Sequence, residues 1–205
     1  NDDDSDPFAG EEGDDFSENH SYQYLGNSLD MDDTGEWMII GMPRANRSIG
    51  GVGGGSDSGL AVVVQHTNFQ TNHYKFGGSG SSYTLDYERI YPTDNTWSNT
   101  DFFGHPVRMS GDHERVVVGA MRDDQSQSDS GSVYIFDRGN GNVWTQAQRI
   151  NSPAPSSSDY FGQSIAFSKD KQFIIISSPR KDTSYGSDFG QVYVYKYNPG
   201  TSSYT

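Results

Sequence analysis

The chain has 205 residues, a formal net charge of −14 and no cysteine. Disulfide frameworks and cysteine-held metals are thereby excluded, and so acidic a surface repels a phosphate backbone, which leaves nucleic acid out as a partner. No apolar run of about 18 residues occurs, so the sequence offers no helical membrane span. Val, Ile, Leu and Phe are few, but they sit in short clusters separated by 24 glycines, the pattern of many short strands joined by turns. An all-β fold is predicted.

In chain order, residues 1–18 come first, with nine acidic and no basic residues and only Phe8, Ala9 and Phe16 as apolar anchors. Residues 1–21 read as an acidic arm, either a solvated tail or a segment that docks on a neighbouring subunit by strand addition. Three copies of one unit follow: YLGNSLDMDDTGEWMIIGMPR at 24–44, FFGHPVRMSGDHERVVVGAMR at 102–122 and YFGQSIAFSKDKQFIIISSPR at 160–180. Gly26, Gly104 and Gly162 precede Gly41, Gly119 and Ser177 by the same fifteen residues.

Downstream, Ser-Asp-x-Gly ending at Gly59, Gly131 and Gly190 introduces the strand signals LAVVV, SVYIF and QVYVY. A last strand ends Arg89-Ile90 in the first copy and Arg149-Ile150, sixty residues on, in the second. The runs from Trp37, Arg115 and Phe173 are continuously apolar, as in central strands covered on both faces. The alternating Val133-Tyr-Ile-Phe suits a strand nearer the outside, and MDDTGE, SGDHE and SKDKQ make polar hairpin turns. Each unit is therefore a four-stranded antiparallel sheet, whose repetition is that of β-propeller blades. Boundaries fall at 22–91, 92–150 and 151–205, with the last blade incomplete and three blades too few to close a ring.

These residues resemble the FG-GAP repeat family, which is found in integrin α-chain propellers and in many secreted or surface proteins. Phe102-Phe103-Gly104 through Val118-Gly119-Ala120, followed by Gly131-Ser-Val-Tyr-Ile-Phe, carries the likeness best. The first copy has Leu25 for Phe, and the third has Ser177-Ser178-Pro179 for Gly-Ala-Pro. The resemblance implies an extracellular or surface setting and a binding role without catalysis. Integrin-like blades insert a calcium loop after the Phe-Gly strand; here only a short hairpin stands in its place. Asp30, Asp32 and Asp33 come nearest to a calcium set, but a tight turn of three Asp reads first as a solvated hairpin.

Arg44, Arg122 and Arg180 share one column, each followed within two residues by Asn46, Asp124 or Asp182. They read as an Arg-to-Asp turn clamp, with Asp57, Asp129 and Asp188 as further acceptors, or alternatively as a basic arc for an acidic ligand. Asn19 and Asn46 head N-glycosylation triplets, and the Ser/Thr/Pro-rich inter-blade segments suit O-glycans. The insertion at about 52–83 carries Phe69, Tyr74, Phe76 and Tyr83, candidates for contacts with a protein or a glycan. The histidines, His20, His66, His73, His105 and His113, lack zinc-type spacing, no nucleophile elbow or phosphate loop occurs, and no carboxylate pair stands out as a glycosidase dyad. Three functions stay open: an adhesion module, a subunit that assembles into a filament or coat, and a carbohydrate-processing propeller enzyme.

Overall fold

The computed structural model describes residues 24–46, 48–49, 52–53, 57–65, 86–93 and 100–205. The first sheet contains β1 (Ser28–Met31), β2 (Trp37–Met42), β5 (Leu60–Gln65) and β6 (Asp86–Ile90), in that spatial order. A small ribbon of β3 (Ser48–Ile49) and β4 (Val52–Gly53) lies between β2 and β5 in the chain. The second sheet runs β7 (Val107–Met109), β8 (Arg115–Ala120), β9 (Ser132–Arg138) and β10 (Trp144–Asn151). The third runs β11 (Ile165–Phe167), β12 (Phe173–Ser178), β13 (Gln191–Asn198) and β14 (Ser203–Tyr204). All neighbours within each sheet are antiparallel.

The opening strands come together: β1 lies against β7, and β7 against β11. Hairpin tips are tied in sequence, Asp33 N–H to Gly111 O at 3.1 Å and Gly111 N–H to Lys169 O at 3.0 Å. Lys169 also reaches back with Nζ to the carbonyls of Met31 (2.6 Å) and Met109 (3.1 Å). Three four-stranded sheets with their first strands gathered on one line are blades of a β-propeller.

Neighbouring blades share their apolar faces. Ile39 and Val63 of the first pack with Val116, Val118, Tyr134 and Phe136 of the second. Val117, Val133 and Ile135, on the second blade's other face, pack with Phe161, Ile174 and Ile176 of the third. Each such side chain contributes about 1.5–3 kcal/mol by leaving water. β9 therefore corrects the expectation of an outer-type strand: Val133 to Phe136 are all 0–1 % exposed. Its alternation of aliphatic and aromatic residues marks two different apolar faces, each against a different blade.

The repeated glycines sit where blades approach backbone to backbone. A Cβ on Gly41 would fall 1.8 Å from Gly104 O, and one on Gly119 would fall 2.6 Å from Gly162 O. Gly59 and Gly131 hold φ of +82° and +83° and meet the carbonyls of Phe103 and Phe161 at 2.0 and 2.1 Å from the same virtual atom. Gly26, Gly104 and Gly162 donate N–H to the carbonyls of Gly41, Gly119 and Ser177 in their own sheets, at 3.1, 3.0 and 2.9 Å. Gly41→Ala and Gly119→Ala are each expected to cost about 1–3 kcal/mol of stability in urea unfolding, because the next blade's backbone must give way. Ser177→Ala is expected to cost less than about 1 kcal/mol, the loss of one exposed hydrogen bond from Ser164 N–H.

Candidate functional site

The aromatic residues that open the blades are held in left-handed backbone conformations, with φ of 56° at Tyr24, 57° at Phe102 and 54° at Tyr160. That turn presents each ring to the arginine column. Arg44 Cζ lies 4.9 Å from the Tyr24 ring centre and 5.5 Å from Phe102. Arg122 lies 5.2 Å from Phe102 and 6.0 Å from Tyr160, and Arg180 lies 4.9 Å from Tyr160. Rings and guanidinium groups thus alternate across the three blades, each Arg reaching the aromatic of its own blade and, at Arg44 and Arg122, that of the next.

The expected Arg-to-Asp clamp is formed at Arg122, and ring contacts run along the whole column beside it. Arg122 pairs with Asp129, at 3.4 Å, and its pKa is raised first by Tyr160 and further by Asp129 and Asp124. What the column shares, however, is stacking on rings. Asn46, Asp124 and Asp182 have a common task of their own, accepting the backbone N–H of Asp57, Asp129 and Asp188 at 3.0, 2.6 and 2.9 Å. That bond sets the Ser-Asp-x-Gly turn, in which Asp57, Asp129 and Asp188 take φ of 56°, 52° and 52°.

The turn receives the next blade. Phe102 and Phe103 donate N–H to the carbonyls of Asp57 and Ser58 at 3.3 and 3.2 Å, and Tyr160 and Phe161 donate to Asp129 and Ser130 at 3.3 and 2.9 Å. The third turn has the same form, Asp188 at 52° and Gly190 at 83°. Among the described residues the carbonyls of Asp188 and Phe189 accept no backbone N–H.

The adjoining face of the third blade is open to solvent. Phe173, Ile175, Val192 and Val194 are 43, 41, 62 and 65 % exposed. Ile175 pairs with Val194 across β12 and β13 as Val117 pairs with Ile135 across β8 and β9, so Val117, Val133 and Ile135 are their buried counterparts. β12 therefore departs from the expectation of a strand covered on both faces. In the loop between β12 and β13, Tyr185 and Phe189 are 82 and 63 % exposed, with ring centres 5.3 Å apart. The signal for Phe189 was in the repeat: it stands where Ser58 and Ser130 are buried.

Asp30, Asp32 and Asp33 are spent on joining the first two blades. Asp30 accepts from Met109 N–H at 2.8 Å. Asp32 accepts from Trp37 N–H (3.2 Å) and Thr34 Oγ1 (2.6 Å), and its Oδ2 lies 3.0 Å from His113 Nδ1. Asp33 lies against Gly111. Among the described residues no group of three or more His, Cys, Asp or Glu is placed to hold a metal ion. Asn46 is exposed. Asn19, Phe69, Tyr74, Phe76 and Tyr83 lie outside the described residues, as do His20, His66, His73 and the arm at 1–21.

Burial alone would raise the Asp32 pKa, but the bonds from Thr34, Trp37 and His113 outweigh it and hold the carboxyl below its usual value. A depressed folded pKa contributes stability above the unfolded value, about pH 4, that is lost as pH falls through the folded one. Asp32→Asn is expected to cost about 1–3 kcal/mol at pH 7, with the difference from wild type narrowing as pH falls below about 4, read by urea unfolding at neutral and acid pH. Arg122→Ala is expected to cost about 1–2 kcal/mol, two ring contacts, and Arg180→Ala about half as much.

In sequence, the FG-GAP repeat matches residues 89–136 and 144–195. No curated protein matches. Among solved structures, a protein from Lactobacillus plantarum is similar at a TM-score of 0.47 and 12% identity over 86% of this chain. Sqt1 of Saccharomyces cerevisiae is similar at 0.47 and 11% over 90%. The chain spans 39% and 35% of those two proteins' lengths. The second and third repeats of the chain are thereby matched as FG-GAP repeats.

Proposed function

We propose that this chain is a non-enzymatic binding module, acting outside the cell or at its surface in adhesion to a protein or glycan. The observation that carries this reading is the exposed strip of Phe173, Ile175, Val192 and Val194, together with the exposed Tyr185 and Phe189 of the loop between β12 and β13. Soluble domains rarely leave so much apolar surface together unless it meets a partner, and aromatic residues on a rigid support are efficient contacts. The extracellular setting is carried over from the family, whose repeats occur in secreted and surface proteins. Asn46 fits an N-linked glycan there: its Oδ1 is engaged by Asp57 N–H, while Nδ2 is the atom a sugar would take.

A second reading, a structural subunit that assembles into a filament or coat, is favoured by the carbonyls of Asp188 and Phe189, which among the described residues accept no backbone N–H. Binding of the labelled chain to arrays of extracellular glycans and matrix proteins tests the first reading, with chromogenic glycosides assayed in parallel. Saturable binding weakened at least about tenfold by Val194→Asp, about 1.4 kcal/mol, is expected, without turnover. Hydrolysis of a glycoside, or binding indifferent to Val194→Asp, would overturn it. A sedimentation coefficient that climbs with concentration would put the structural reading first.

A further inference from the structure

We propose that the arginine–aromatic column is a binding site for an acidic polysaccharide, whose carboxylates or sulfates pair with Arg44 and Arg180 while a sugar ring lies beside Tyr24. No residue of the exposed strip takes part, so the site is additional to the one on which the binding reading rests.

The observation that carries the proposal is a pair of guanidinium groups left without acids in a chain that has acids to spare. Among the described residues, Arg108, Arg115, Arg122, Arg138 and Arg149 each make a side-chain hydrogen bond or ion pair, and Arg89 is engaged as well. Arg44 and Arg180 are exposed and meet rings alone, at 4.9 and 5.5 Å for Arg44 and 4.9 Å for Arg180. The groups that could neutralise them are turned elsewhere or carry no charge. Asp182 accepts the N–H of Asp188, and Asn46 stands in the first blade where Asp124 and Asp182 stand in the others. Asp129 reaches Arg122 at 3.4 Å, whereas among the described residues Asp57 and Asp188, in the same turn with the same left-handed backbone, form no ion pair with Arg44 or Arg180. Nine of the chain's 28 acidic residues fall in residues 1–18, so the blades carry a smaller excess of negative charge than the whole chain does.

A guanidinium stacked on a ring keeps its N–H groups in its own plane, free at the edge, where a carboxylate or sulfate meets them in paired bonds. Stacking also restricts the side chain before the ligand arrives, so less freedom is lost on binding. Asp129 on Arg122 is the internal example of an acid seated on this column. The two open positions, on the first and third blades, flank that occupied one. A polymer that carries an acid on successive sugars can meet both, and a single small anion cannot. Tyr24, 48 % exposed beside Arg44, offers its ring to the apolar face of a pyranose. An acidic polypeptide brings the charge without that flat apolar face.

The test is binding of the 205-residue chain to immobilised polygalacturonate and dextran sulfate at physiological ionic strength, with methyl-esterified polygalacturonate and plain dextran as neutral counterparts. The chain is produced in bacteria, so that Asn46 carries no sugar beside Arg44. Binding to at least one acidic polymer and to neither neutral one is expected, weakened at least about tenfold by Arg44→Ala and by Arg180→Ala. Arg44→Lys is expected to recover only part of the affinity, since the charge returns without the planar fork. Lys196→Ala, which removes an equal charge from exposed β13, is expected to change binding less than about twofold, because charges away from the contact are screened. Urea unfolding of each variant separates loss of binding from loss of fold. Binding to polygalacturonate alone assigns a carboxylate and to dextran sulfate alone a sulfate, both within the proposal. No binding to either acidic polymer would overturn it, as would binding indifferent to Arg44→Ala or Arg180→Ala, or weakened as much by Lys196→Ala. Equal affinity for poly-glutamate would overturn it in favour of an acidic protein partner. The strip is read through Val194→Asp in the array experiment, so the two proposals fail separately.

Discussion

Everything in this structure hangs on the approach of one blade's aromatic–x–glycine turn to the backbone of the blade before it. At Gly41 and Gly59 the incoming chain comes so near that no side chain fits between. That closeness lets two backbone N–H groups reach two carbonyls, and it brings the sheets near enough for Ile39 and Val63 to meet Val116 and Tyr134. A single four-stranded sheet of this composition has two apolar faces and no means of covering either. Stacking resolves that, and the repeat is the unit of stacking.

Polar residues in the same interfaces serve the stacking too. Asp30 and Asp32 use their oxygens on Met109, Trp37, Thr34 and His113, and Lys169 caps carbonyls of two other blades. The arginine column adds cation–ring contacts along the line where successive blades open, each worth about 0.5–1 kcal/mol at such half-exposed sites. These groups give the array a direction, since every blade offers carbonyls and a guanidinium to the one that follows.

The sequence carried the repeat plainly. Glycine spacing, apolar runs, the Ser-Asp-x-Gly turn and the repeated Arg-Ile ending located eleven of the twelve blade strands, all but β14, because strand and turn preferences act over a few residues and recur at a fixed interval. The site was legible in part. Phe189 in place of Ser58 and Ser130 was visible by overlaying the repeats, and Arg44, Arg122 and Arg180 were found as a column. Asp129 was anticipated as a partner of Arg122, but the rings the column stacks on, in its own blades and the next, were not. Asp124 and Asp182 bond backbone instead, a choice set by the left-handed turn at Asp129 and Asp188.

Which faces are covered is a property the chain could not announce. Arg115-Val-Val-Val and Phe173-Ile-Ile-Ile have the same apolar character, yet Val117 is fully buried and Ile175 is 41 % exposed. Local preferences decide that both are strands and that both have two apolar faces. Only the tertiary arrangement decides that one lies between two blades while the other has a blade on one side, because burial depends on what packs against a residue, and that contact is non-local.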